Sequence, residues 1–191
     1  ASDGHPLNLD AIEQADWVYL SALGDMKLLE KIISTAVRHD TKVMLNPAGA
    51  ELKEKSKLKA LLDDVEVLSV NKEEAQQIVS GQTLEELVRH GSHYCPVVIV
   101  SDGPKGVAAT DGKEIVRAGM YEDVPVIDRT GAGDAFGSGF LSQWSQGKSL
   151  ADSIIFASAN STSVVTKIGA KEGILHKGVK LHHMPIDTKP F

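Results

Sequence analysis

Asp128-Arg129-Thr130-Gly131-Ala132-Gly133-Asp134 is the stretch on which the reading of this chain turns. The residues before it, 124–127, have strand composition. The residues after it, 133–144, place Phe136, Phe140 and Trp144 at i, i+4 and i+8, the spacing of a helix face that packs on a sheet. Gly137 and Gly139 let that helix approach its neighbours closely. The heptapeptide is therefore a glycine-rich turn from a strand into a helix. The first N–H groups of a helix have no partner inside it, and the helix dipole there favours an anion. Gly131, Ala132 and Gly133 are accordingly candidate anion-hole positions. Asp134 falls in the first helical turn, where the dipole favours a carboxylate, and is the candidate base. The turn is neither a Walker loop, since no Gly-Lys-Ser/Thr is present, nor a dinucleotide Gly-x-Gly-x-x-Gly.

Working outward, strands and helices alternate. Residues 17–20, 42–45, 65–70 and 97–100 read as strands, the last apolar throughout. Residues 26–38 carry apolar side chains at helical spacing, 52–62 read as a lysine-rich amphipathic helix, and 72–79 and 84–90 as short helices. Asp111-Gly112 between two apolar stretches predicts a hairpin over 106–116. A helix rich in small residues is expected at 151–165. The pattern is that of one α/β domain over residues 1–191, with a largely parallel sheet and one hairpin. Open sheets of this kind bind ligands beyond the carboxyl ends of their strands, so function is sought in the strand-to-helix turns.

Bulk properties narrow the class. The 191 residues are 42% hydrophobic and 24% charged, with a formal charge of −6. A mildly acidic chain without a basic stripe is a poor match for nucleic acid or an anionic membrane. Cys95 is the one cysteine, which excludes an intrachain disulfide and fits a cytoplasmic protein. No apolar run reaches the ~20 residues that a bilayer span needs. Cys95 reads as a structural thiol and His182-His183 as part of a solvated tail. The chain opens at Ala1 without an initiator methionine, as a processed product or a fragment would.

Four further segments accompany the glycine-rich turn: Asn46-Pro47-Ala48, Asn71-Lys72-Glu73-Glu74, Ser101-Asp102-Gly103-Pro104-Lys105-Gly106 and Val165-Thr166-Lys167-Ile168-Gly169-Ala170. Singly, each is an ordinary cap or loop; Asn46 and Asn71 could cap the next helix. In this order and spacing the five segments resemble the ribokinase-like sugar kinases, the phosphofructokinase-B family, over residues 16–173. The resemblance implies a three-layer α/β/α fold and an ATP-dependent kinase acting on a sugar or nucleoside hydroxyl.

Residue by residue, the resemblance makes Asp134 the base toward that hydroxyl and gives the amides of Gly131, Ala132 and Gly133 the charge on the transferred phosphoryl group. Asn71 and Glu74 match residues that hold Mg²⁺ through water. Asn46, Ser101, Asp102, Gly103, Gly106, Gly133 and Asn160 match positions around the nucleotide. Asp128 and Thr130 match ligands of the K⁺ that some members bind, with the carbonyls of Val164, Lys167 and Gly169; Gly173 stands where a serine often completes that set. Asp102 replaces a residue that is usually apolar, and Arg129 fills a variable position. The family's N-terminal strands, most of its sugar pocket and its small β lid have no counterpart here. The expectation is thus a C-terminal portion that works with an N-terminal segment, and that forms a homodimer in its full-length form.

Overall fold

The computed structural model describes residues 8–119, 124–176 and 178–191. The opening stretch 1–6, read above for its missing methionine, lies outside them. Eight helices and seven strands follow in chain order among the described residues: α1 (Asp10–Glu13), β1 (Trp17–Ser21), α2 (Met26–Arg38), β2 (Lys42–Asn46), α3 (Ala50–Lys53), α4 (Lys55–Leu61), β3 (Val67–Asn71), α5 (Lys72–Ile78), α6 (Leu84–Gly91), β4 (Val97–Ser101), β5 (Val107–Thr110), β6 (Glu114–Ala118), α7 (Ala132–Trp144), α8 (Leu150–Val165) and β7 (Ile186–Pro190). The strands form a single sheet in the order β1-β2-β3-β4-β5-β6-β7. β1 to β4 run parallel, and β5, β6 and β7 extend the sheet antiparallel.

Alternation along the strands sorts side chains into two layers, because successive residues of a strand point to opposite faces. Val43, Leu45, Leu68, Val70, Val98 and Val100 pack with Leu29, Ile33, Leu58 and Leu87 of the helices on one face. Met44, Val67, Val97, Ile99 and Val107 pack with Phe140, Leu150 and Ile154 of α7 and α8 on the other. The three-layer arrangement follows. Phe140 is fully buried and stacks on Trp144 with ring centroids 5.8 Å apart, so the aromatic stripe does face the sheet. Gly137 sits so close to β1 that a Cβ there would lie 2.2 Å from the Tyr19 hydroxyl, and one at Gly139 would lie 3.2 Å from Ala157 Cα. Among the described residues no helix is long and apolar enough to cross a membrane.

Three expectations need correction. The helix expected over 52–62 is broken at Glu54 into α3 and α4, and ends in a 3₁₀ turn, Leu62–Asp64. Glu51 explains the first part: it is 1% exposed, and its carboxylate accepts from the backbone N–H of Gly24 (2.6 Å) and Ala48 (3.3 Å). The break lets that turn stay anchored while Leu58 and Leu62 reach the core. Residues 124–127 form no strand. The edge of β6 is taken by β7 instead, in register from Glu114↔Pro190 to Ala118↔Ile186. Pro125 has no N–H to give a ladder, and the N–H groups of Ile127 and Asp128 both donate to Val165 O at the end of α8. Finally, the tail contributes β7, which is held beyond its ladder by Lys189 Nζ, 2.7 Å from Glu85 Oε2, and by Arg89 over the Phe191 ring. His182 and His183 lie before that strand and are exposed.

Candidate active site

The carboxyl ends of the four parallel strands carry polar residues: Ser21 ends β1, Asn46 ends β2, Asn71 ends β3 and Ser101 ends β4. Ladder register pairs Ser21 with Asn46 and Asn71 with Ser101. Asn46 is tied across the sheet by its Nδ2, which donates to Ser69 O at 2.8 Å. Parallel strands deliver these ends to one rim, where the turn into α7 also arrives.

That turn is shaped by its own residues. The Asp128 carboxylate accepts from the N–H of Thr130 (2.9 Å) and from that of Gly169 (3.0 Å), which ties the turn to the loop after α8. These bonds, led by the one from Thr130, hold the Asp128 carboxyl below the usual carboxylate range. Gly131 has φ 79°, a left-handed conformation, and a Cβ there would stand 2.6 Å from the Ala170 side chain. No other residue fits that position without strain. Gly131 is also the N-cap of α7, and no side chain caps the helix. Gly133 faces open space. Asp134 is exposed and accepts a hydrogen bond from Ser21 Oγ at 2.8 Å. Beneath it, burial and then the Asp134 charge push the Tyr19 hydroxyl up to about 12. Ser21 and Tyr19 were not singled out in the sequence; the only signal was a polar residue closing an apolar strand run, as Asn46 does.

A cavity of about 200 Å³ opens between the Ser101–Gly106 loop and the start of α7. Ser101, Gly103 and Gly106 line one side, and Arg129, Ala132 and Gly133 the other. Gly106, at φ 92°, is required by a close approach, since a Cβ would lie 2.2 Å from Ala118 O. Asp102 holds the loop through its N–H, which donates to Gly106 O at 2.8 Å, and its carboxylate lies 3.8 Å from Lys72 Nζ and 3.7 Å from Lys105 Nζ. Ser158 of α8 also lines the cavity; it is 1% exposed, and its Oγ has no hydrogen-bond partner. A buried hydroxyl left unpaired is costly, and Thr162 Oγ1, one turn further along α8, shares that state among the described residues. Nothing in the small-residue run of α8 marked Ser158 in the sequence. Larger hollows, of about 530 and 670 Å³, lie along the flanks of α7, away from its N-terminus.

Asn160, expected beside the nucleotide, has its side chain engaged within the fold. It is 2% exposed, its Nδ2 donates to Ala135 O (2.7 Å), and its Oδ1 accepts from Leu175 N–H (2.8 Å). Both ends of the amide are engaged in tying α8 to α7 and to the following loop, and it does not line this cavity. Asn71 and Glu74 form a closed capping box: Glu74 N–H donates to Asn71 Oδ1 and Asn71 N–H to Glu74 Oε2, both at 2.9 Å. Desolvation nevertheless raises the Glu74 carboxyl above its ordinary range, against those bonds. A half-buried carboxylate short of positive charge suits a hydrated Mg²⁺, which keeps water and takes hard oxygen donors. Of the candidate K⁺ ligands, Val164 O accepts from Lys167 N–H at 3.0 Å. At Gly173 (φ 82°) a Cβ would lie 2.7 Å from Ser163 O, so the serine often found there does not fit. Cys95 is buried, its thiol donates to Val65 O at 3.1 Å, and burial pushes it up to about 12, as suits a structural thiol.

The chain matches the model of the pfkB family of carbohydrate kinases over residues 1–177. It is 27% identical over 167 residues to the ribokinase of Bacillus subtilis (strain 168), covering 87% of this chain and 54% of that one. It is 29% identical over 149 residues to the cytidine kinase of Thermococcus kodakarensis, covering 75% and 52%. A ribokinase structure from Arabidopsis thaliana, complexed with ribose and ATP, superposes with a TM-score of 0.72 at 23% identity, over 87% of this chain and 55% of that one. The chain spans about half the length of the curated relatives it matches.

Proposed function

This chain belongs to the pfkB family of carbohydrate kinases, and on that premise we propose that it carries the nucleotide-binding and catalytic machinery for moving the γ-phosphate of ATP to a sugar or nucleoside hydroxyl. The observation that carries the reading is the uncapped start of α7, with Asp134 in its first turn and the unpaired Ser158 hydroxyl in the cavity beside it. The Ser101–Gly106 loop and Ser158 would flank the nucleoside end of ATP. The amides of Gly131, Ala132 and Gly133 would meet the phosphates and hold charge that develops in a loose phosphoryl-transfer transition state. Asp134 would take the proton of the attacking hydroxyl. When bound, Mg²⁺ would neutralise phosphate charge; Asn71 and Glu74 would hold it through water, and K⁺, where present, would sit by Asp128 and Thr130.

The relatives named ribokinase and cytidine kinase support a polyhydroxylated acceptor that ends in a ribose-like ring. A second reading, a nucleotide-binding module that turns nothing over without further chain, is favoured by the half-length match. The test is calorimetric titration of Mg²⁺ with a non-hydrolysable ATP analogue, followed by turnover of the wild type and of Asp134→Asn. Saturable, Mg²⁺-dependent binding is expected. Asp134→Asn should lower turnover by on the order of 10²–10⁴ while affinity is kept, the usual contribution of a positioned base. Binding without turnover selects the second reading; full turnover by Asp134→Asn removes the base.

A further inference from the structure

Asp134 does not stand alone at the rim. One of its carboxylate oxygens, Oδ1, accepts the hydroxyl of Ser21 at 2.8 Å, across 113 positions of sequence. Ser21 is itself fixed from several sides. It is the last residue of β1, paired in register with Asn46, and the next N–H, of Ala22, donates to Asn46 O at 3.0 Å. Ala22 has φ 45°, a left-handed conformation for a residue with a Cβ, so the chain bends away directly after Ser21. Asn46 Oδ1 lies 3.5 Å from Ser21 Oγ, and Asn46 is anchored to Ser69 O. A serine hydroxyl has one proton to give, and the 2.8 Å partner takes it in preference to the 3.5 Å one. The helix cannot drift from this contact, because Gly137, one turn on, is packed against Tyr19 on the same strand.

We infer that Ser21 is a positioning residue for Asp134: it tethers Oδ1 so that Oδ2 is presented to the acceptor hydroxyl. The inference rests on the reading of Asp134 as the base. An untethered carboxylate in an exposed first turn samples several rotamers, and misplacing a reacting group lowers the chemical step more than substrate binding.

The test uses the full chain with Ser21→Ala, Ser21→Thr and Asp134→Asn, and follows ADP release from Mg·ATP with D-ribose as the probe acceptor and without sugar. Ser21→Ala should lower kcat about tenfold with the KM for ATP unchanged, and Ser21→Thr, which restores a hydroxyl, should recover most of it. Unchanged kcat in Ser21→Ala, with Asp134→Asn inactive, overturns the role of Ser21 and leaves the base standing; an active Asp134→Asn overturns both. Independently of turnover, the carboxyl ¹³C resonance of Asp134 should move in Ser21→Ala and return in Ser21→Thr. A resonance that stays in place in Ser21→Ala overturns the tether.

Discussion

Two helix starts lie on the same rim and are built in opposite ways. At α5 the sequence Asn71-Lys72-Glu73-Glu74 closes on itself: each of the two polar side chains satisfies the other's backbone N–H. At α7 the sequence Thr130-Gly131-Ala132-Gly133 offers no side chain to the first-turn amides; Asp128 is taken up by the N–H groups of Thr130 and Gly169, and Asp134 turns to Ser21 on another element. A capping box removes orphan donors locally; a glycine cap leaves them pointing outward. One end of the rim is thus closed on itself, and at the other no side chain caps the helix, where Ala132 N–H donates to Arg129 O at 3.2 Å. The difference also explains which glycine is indispensable, because only at Gly131 do a left-handed backbone and a crowded neighbour coincide within the turn.

The largest test of this contrast is Gly131→Ala. The added methyl meets Ala170 Cα and O at 2.7 Å, and a left-handed alanine is strained in addition. A loss of about 2–4 kcal/mol is expected, read as a lower thermal midpoint together with loss of ATP-analogue binding. Binding that survives intact would mean the open turn is not the anion site. Asn71→Ala opens the closed end and should cost about 1 kcal/mol, measurable by urea unfolding, while ATP-analogue binding without Mg²⁺ stays as it was. A fall in that metal-free binding would show that the two ends are coupled rather than separate.

The smallest effect is in pH dependence, and its sign differs between the ends. Glu74 has a raised carboxyl pKa, so its contribution favours the fold below the unfolded carboxylate value and is lost as pH rises through the raised one. Asp128 has a lowered pKa, so its contribution is present above the unfolded value and is lost as pH falls through the lowered one. Glu74→Gln, which preserves the cap, should therefore stabilise slightly at neutral pH, and Asp128→Asn should flatten the acid limb of the stability curve. Parallel stability-versus-pH curves for the wild type and Asp128→Asn would remove the role given to its backbone bonds.

How much of this was legible in the sequence varies with the range of the interaction. The residues 26–38 helix, the hairpin at Asp111-Gly112 and the aromatic stripe of α7 were readable because periodicity and turn chemistry act over a few residues. The break at Glu54 was not, because it depends on where the buried Glu51 carboxylate finds the Gly24 amide. The missing strand at 124–127 was not either, because the N–H groups of Ile127 and Asp128 go to Val165 O at the end of α8, while β7 holds the edge of β6. At the rim, the motif residues stand out one by one in the sequence, whereas Ser21 matters only through Asp134 opposite it. Asn160 shows the converse, a polar residue in a suggestive place whose partners are internal.

The sequence by itself determined the class of fold and the glycine-rich helix start. Alternating apolar runs dictate a layered sheet, and only glycine allows the left-handed turn at 131. Tertiary structure alone decided which polar groups are satisfied and which are left over. Whether Asn71 closes on Glu74, Ser21 reaches Asp134 or Ser158 keeps a bare hydroxyl depends on distances between elements far apart in the chain. A hydrogen bond is lost over a few tenths of an ångström, a precision that hydrophobic patterning does not encode and that packing of the sheet against α7 and α8 supplies.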